Sequence, residues 1–137
     1  MHKKFTHTVK VYYEDTDAGG VVYYANYLKY LERARTEALS NIGLSNIKIK
    51  NDFGALIIVK SCNIEYKKSA HLEDDLQIES FVGSTSKTSF LMNQSIFKDE
   101  ELVVVAKIHL VFINEIFKPI KIPEKVLSEF KPYTSSS

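Results

Sequence analysis

Tyr13-Glu14-Asp15-Thr16-Asp17-Ala18-Gly19-Gly20-Val21-Val22-Tyr23-Tyr24-Ala25-Asn26-Tyr27 runs directly into Leu28-Lys29-Tyr30-Leu31-Glu32-Arg33-Ala34-Arg35. An acidic, glycine-containing turn leads into an amphipathic helix that the spacing predicts from about Ala25 to Ile42. At 100° per residue, Tyr24, Tyr27, Leu28, Leu31, Ala34, Ala38, Leu39 and Ile42 share one arc, with Lys29, Arg33, Thr36, Glu37 and Ser40 opposite. Such a helix is roughly 27 Å long, enough to cross a small sheet, and Gly43 is a natural stop. Arg35 breaks the apolar arc. Glu32, one turn earlier, is placed to pair with it; a subunit contact or a site is the other reading.

The flanking chain reads as strands. Phe5 to Tyr13 alternates β-formers, and Ala55 to Tyr66 opens on a continuous apolar run. Asp75 to Val82 and Thr88 to Phe97 follow, the latter with Phe90, Met92 and Ile96 on one face. Leu102 to Ile113 is apolar on nearly both faces and is expected to be central. Gly83 to Lys87 and Lys98 to Glu101 are polar turns. Pro123 to Phe130 suits a short helix with proline in its first turn, and Thr134 to Ser137 reads as a loose tail. One long helix and about five mostly antiparallel strands make an α+β fold, with the sheet wrapped around the helix. The remaining sheet edge and face favour dimerisation through strand pairing.

A chain of 137 residues fits a single domain spanning residues 1–137. Eighteen basic and 17 acidic residues give a net charge of +1, which argues against a general nucleic-acid binder. The single cysteine, Cys62, permits no internal disulfide and reads as a buried, inert thiol. No apolar run is long enough to span a bilayer, and no apolar signal region follows the basic start. Together these point to a cytoplasmic protein. His71, expected in a loop, and His109, in the last strand, are not spaced as metal ligands.

The segment from Tyr13 to Arg35 resembles the start of the hotdog-fold acyl-CoA thioesterases, closest to the branch of 4-hydroxybenzoyl-CoA thioesterase and the Tol-Pal-associated YbgC-type enzymes. The matching elements are Tyr13-Glu14-Asp15-Thr16-Asp17, Gly20-Val21-Val22-Tyr23, Ala25-Asn26-Tyr27 and Glu32-Arg33-Ala34-Arg35. The resemblance implies a sheet curled around a central helix, a homo-oligomer (dimer or dimer of dimers) with its site between subunits, and hydrolysis of an acyl-CoA thioester to free acid and CoA. No cofactor and no metal are implied. One departure stands out: YbgC-type members often carry histidine where this chain has Tyr24.

By this resemblance Asp17 is the catalytic carboxylate, attacking the thioester carbon or activating a water. The backbone amide of Tyr24 would contact the thioester carbonyl, since a helix N-terminus carries free N–H groups and partial positive charge. Gly20 would permit close approach of substrate to the main chain. Tyr23, Asn26, Glu32 and Lys87 are substrate-binding candidates, Lys87 for the CoA nucleotide, with Lys60, Lys67 and Lys68 behind it. Read without the resemblance, Asp17 is a turn-former or helix cap and Asp15 a turn residue. A hydratase of the same fold would need a histidine near the helix start, and none is there. A third reading is a non-catalytic module binding acyl-CoA or acyl-carrier protein, linked to envelope lipid metabolism.

Overall fold

The computed structural model describes residues 2–135. Strands β1 (Phe5–Lys10), β2 (Leu56–Tyr66), β3 (Asp75–Thr85), β4 (Ser89–Lys98) and β5 (Glu101–Ile113) form one antiparallel sheet in the order β1-β3-β4-β5-β2. Helices α1 (Asn26–Asn41), α2 (Asn46–Phe53) and α3 (Glu124–Phe130) complete the fold. Register places Ile78 opposite Ile96, and Ile96 opposite Val104, so alternate residues of β3, β4 and β5 line one face. Helix α1 lies on that face: Tyr27, Tyr30, Leu31, Ala34 and Leu39 share a core with Ile78, Met92, Ile96 and Ile108. Each large side chain buried there contributes on the order of 2 kcal/mol. This is the α+β hotdog architecture that the resemblance implied, with β5 interior and its outer face interrupted by Lys107 and His109.

Four local expectations change. Strand β1 ends at Lys10, and Tyr13–Asp15 forms a single 3-10 turn. The Asp15 carboxylate accepts the Tyr12 N–H at 3.0 Å, and this competes with further strand pairing. Helix α2 was not anticipated, because only Ile49 of its residues is buried and its periodicity is weak. Its boundaries were nonetheless written in the chain. Ser45 Oγ accepts the Lys48 N–H at 3.0 Å, and Gly54 ends the helix at φ +63°. Thr134 and Ser135 are not loose. Thr134 bridges to Val82, and Ser135 N donates to the Val82 carbonyl at 2.9 Å. Ser136 and Ser137 of the expected tail lie outside the described residues.

The fourth change concerns Cys62, which is exposed, not buried. Its strand, β2, is an edge strand, so nothing in this chain covers its far side. The register of β2 against β5 shifts between Val59 and Ser61. Ile57 and Val59 before the shift, and Cys62, Ile64 and Tyr66 after it, therefore oppose inward-facing residues of β5. Eleven residues long and largely exposed, β2 leaves backbone groups and apolar side chains without partners in one chain.

Candidate active site

The acidic turn folds into a miniature hairpin. Thr16 bridges Val22, Asp17 N donates to the Val21 carbonyl at 3.0 Å, and Tyr23 N donates to the Asp15 carbonyl at 2.9 Å. Gly20 N closes the turn on the Asp17 carbonyl at 3.0 Å, and Gly20 itself adopts φ +77°, a conformation that favours glycine. The hairpin is pinned from outside. Val22 N donates to the Ala70 carbonyl at 2.8 Å, Leu72 N donates to the Gly20 carbonyl at 3.1 Å, and the Tyr27 hydroxyl accepts the Ala70 N–H at 3.0 Å. The turn and the first turn of α1 are thereby held on a common frame.

The two carboxylates have separated tasks. Asp15 is buried and holds the turn. The Tyr30 hydroxyl is buried beside it without a completed hydrogen bond. Burial first, and the Asp15 carboxylate second, push that phenol well above the ordinary tyrosine range. Asp17 is exposed. Its Oδ1 accepts the Gly19 N–H at 2.9 Å, while Oδ2 takes no hydrogen bond from the described residues.

The tip of α1 is uncapped. Ala25 occupies the capping position with no side-chain oxygen to offer, and no acidic residue lies in the first turn. Asn26, Tyr27 and Leu28 N–H groups donate back to Tyr23, Tyr24 and Ala25 carbonyls. The Tyr24 and Ala25 N–H groups donate to nothing among the described residues. Here is an electropositive helix end with open donors, on the segment that carries Asp17.

An aromatic wall surrounds this tip. Tyr23 and Tyr24 rings lie 4.9 Å apart, Tyr24 meets Tyr66 edge-on at 6.2 Å, and Tyr66 lies 5.6 Å from Tyr27. The adjacent Tyr24 phenol raises the Tyr23 phenol above its usual range. Tyr66 had not been singled out from the sequence, where it ends an apolar strand before Lys67 and Lys68.

The other candidates separate. Asn26 is buried, and its side-chain amide donates to the Asp15 carbonyl at 2.8 Å. Its amide nitrogen is thereby committed to holding the turn. Glu32 is exposed on α1, and no ion pair joins it to Arg35. Arg35 turns instead to the sheet, where Nη1 donates to Gln94 Oε1 at 2.9 Å. Gln94 Nε2 donates to Ser80 Oγ and to the Leu31 carbonyl, both at 3.0 Å. Gln94, fully buried, was also missed. The available signal was a polar residue at the inward position between Met92 and Ile96. Burial lowers the Arg35 pKa, and the nearby Glu32 charge partly offsets this. Glu32, Arg35, Thr36 and Asn46 form the polar side of a partly open cavity of about 190 Å³, whose apolar side includes Ile57, Val59, Phe90 and Leu110.

Lys87 lies in the turn between β3 and β4, exposed. Ala70 to Leu72, against which the Asp17 hairpin is pinned, precede the start of β3. Ten steps along β3 separate the two ends of that strand by about 30 Å, so one chain does not bring Lys87 to Asp17. Lys67 and Lys68 flank the aromatic wall and pair with Glu65 and Glu101. Among the described residues no helix is long and apolar enough to cross a membrane.

Comparison with known proteins adds a family. Residues 11–130 match the family model for the thioesterase-like superfamily. The acyl-CoA thioester hydrolase YbgC of Escherichia coli O6:H1 is 38% identical over 129 residues, spanning 93% of this chain and 96% of its own. The acyl-CoA thioesterase YbgC of Haemophilus influenzae is 34% identical over 127 residues, spanning 92% and 93%. A crystal structure of a probable thioesterase from Bartonella henselae superposes with a TM-score of 0.85 at 31% identity, covering 88% of this chain and all of that one.

Proposed function

The chain belongs to the thioesterase-like superfamily and is an acyl-CoA thioester hydrolase, and we propose that Asp17 and the backbone amide of Tyr24 are the groups that act on the thioester carbonyl. The observation that carries this assignment is the pairing of an uncapped helix tip with a carboxylate that has an oxygen free, in one pinned turn. The amide stabilises the oxyanion as the carbonyl is attacked. The free carboxylate oxygen attacks the thioester carbon itself or takes a proton from an attacking water. A thiolate leaves without strong acid help. Gly20 keeps the turn in a conformation that costs other residues energy. Tyr23 and Tyr24 flank the tip, and Tyr24 contributes its amide, so a phenol in place of the histidine of many relatives leaves the mechanism intact.

The exposed edge strand β2 supports a homo-oligomer formed by antiparallel pairing of β2 with its copy. That two-fold operation reverses the partner. The helix tip of one subunit then approaches the end of the other that holds Ile57, the cavity beside Glu32 and Arg35, and the Lys87 turn. Lys87 would serve the CoA nucleotide, and Glu32 the acyl end, across that interface. Coenzyme A is the carrier favoured by the relatives, with acyl-carrier protein the alternative donor, and the reaction is assigned to the cytoplasm. The relatives named as thioester hydrolases do not favour the non-catalytic module reading.

Asp17→Asn tests the assignment. Thiol release from an acyl-CoA panel should fall about 100-fold or more, while acyl-CoA binding persists. A wild-type chain silent on short, long and aromatic acyl-CoAs, or an active Asp17→Asn chain, overturns it.

A further inference from the structure

Asn26 is the first residue of α1 and is 8% exposed. Burying a side-chain amide costs free energy unless hydrogen bonds offset it. The Asn26 amide nitrogen donates to the Asp15 carbonyl at 2.8 Å. That carbonyl also accepts the Tyr23 N–H at 2.9 Å, so without Asn26 it would still have a partner. The bond therefore does more than satisfy a buried acceptor.

Nor does Asn26 cap its own helix. Asparagine is a preferred capping residue one position earlier, where its oxygen would take up the amides of the first turn. Ala25 holds that position instead, and the Asn26 amide is turned back to the acidic turn. The Tyr24 and Ala25 amides consequently stay open among the described residues.

The two donors on the Asp15 carbonyl bracket Tyr24 in sequence, one from Tyr23 and one from Asn26. Asp15 is itself buried, its carboxylate held on the Tyr12 N–H at 3.0 Å. Asp17 lies two residues on, with its own N–H fixed to Val21 and its carbonyl to Gly20, each at 3.0 Å. One oxygen thus joins the segment bearing the open amide to the segment bearing the free carboxylate. A single bond would let the helix tip swing about it; a second, from the far side of Tyr24, stops the swing.

We infer that Asn26 is a positioning residue for the thioester reaction: its side-chain amide locks the helix tip to the Asp15 carbonyl and so fixes the Tyr24 N–H relative to the Asp17 carboxylate. This rests on the reading of Asp17 and the Tyr24 amide as the acting groups. Those two groups must meet one carbonyl, the amide at its oxygen and the carboxylate at its carbon. A misplacement of about 1 Å can cost on the order of 100-fold in rate. Holding the CoA and acyl portions makes no use of the bond, so the effect falls on kcat and leaves KM largely in place.

Asn26→Ala, Asn26→Asp and Asn26→Ser test this, each assayed by thiol release well below its own Tm so that rates are read on folded chains. Asn26→Ala should lower kcat by about 10- to 100-fold with KM within about threefold. Asn26→Asp keeps the shape, loses the donor and sets a carboxylate against a carbonyl oxygen, so its kcat should fall at least as far. Asn26→Ser keeps a short donor and should recover part of the loss. In an Asp17→Asn background Asn26→Ala should change the residual rate by less than about twofold, because the carboxylate it positions is gone; a purely structural loss would carry over in full. Acyl-CoA titration should give equal affinities for Asp17→Asn with and without Asn26→Ala. Wild-type kcat in Asn26→Asp, a loss expressed in KM alone, or a full loss in the Asp17→Asn background overturns the inference and leaves the catalytic assignment standing. So does failure of all three variants to fold, which would make Asn26 structural. An active Asp17→Asn chain overturns the catalytic assignment, and this inference with it.

Discussion

Replacing Gln94 with leucine removes the hub of the buried polar chain while roughly conserving volume. Three hydrogen bonds disappear: those to Arg35 at 2.9 Å, Ser80 at 3.0 Å and the Leu31 carbonyl at 3.0 Å. Losing the bond to the charged guanidinium costs about 1.5–3 kcal/mol, and stranding the buried Ser80 hydroxyl costs a further 1–3 kcal/mol or so. Added apolar burial returns about 1 kcal/mol. The net expectation is a loss of about 3 kcal/mol, or about 10 °C in Tm for a domain of this size. Arg35→Met alone strands Gln94 Oε1. The double variant should therefore lose less than the sum of the singles, by about 1–2 kcal/mol. Urea unfolding followed by circular dichroism, at one fixed protein concentration because association adds to apparent stability, measures all four corners of the cycle. Additive losses, or a Gln94→Leu chain within about 0.5 kcal/mol of wild type, would refute the view that Gln94 orients Arg35.

Gly20→Ala meets no atom within 4 Å, so its cost is left-handed strain alone, about 1–2 kcal/mol. Its kcat/KM should fall more steeply than its Tm implies, which thiol-release kinetics alongside thermal melts will read. Tyr24→Phe keeps the backbone amide and should retain kcat/KM within about threefold; a collapse to the level of an oxyanion-hole deletion, about 100-fold, would reassign the role to the phenol. Tyr27 and Tyr30 both have phenols raised above the ordinary 10.0, with burial the leading cause. The folded chain therefore keeps protons that the unfolded chain releases; the stability so gained is complete below pH 10 and is lost as pH climbs above it. Ultraviolet titration should show Tyr30 ionising last of the eight tyrosines, together with unfolding.

Local physics made much of this protein readable from its residues. The period of α1, its stop at Gly43, and the alternation of β3, β4 and β5 depend on neighbours within a few positions, and the structure reproduces them to within a residue or two at most ends. The Asp17-Ala18-Gly19-Gly20 turn depends likewise on its own backbone and side-chain bonds. Contacts between distant segments were decided elsewhere. That β2 lies at an edge, and so exposes Cys62, follows from β5 pairing with β4 and β2 with β5, a ladder no local pattern encodes. Glu32 is one helical turn from Arg35 and bears the right charge, yet the guanidinium goes to Gln94, 59 positions away. A sequence reports which side chains are near in number. Only the folded chain reports which buried acceptor is near in space, and for a charge leaving water that acceptor outweighs an exposed neighbour on the same helix.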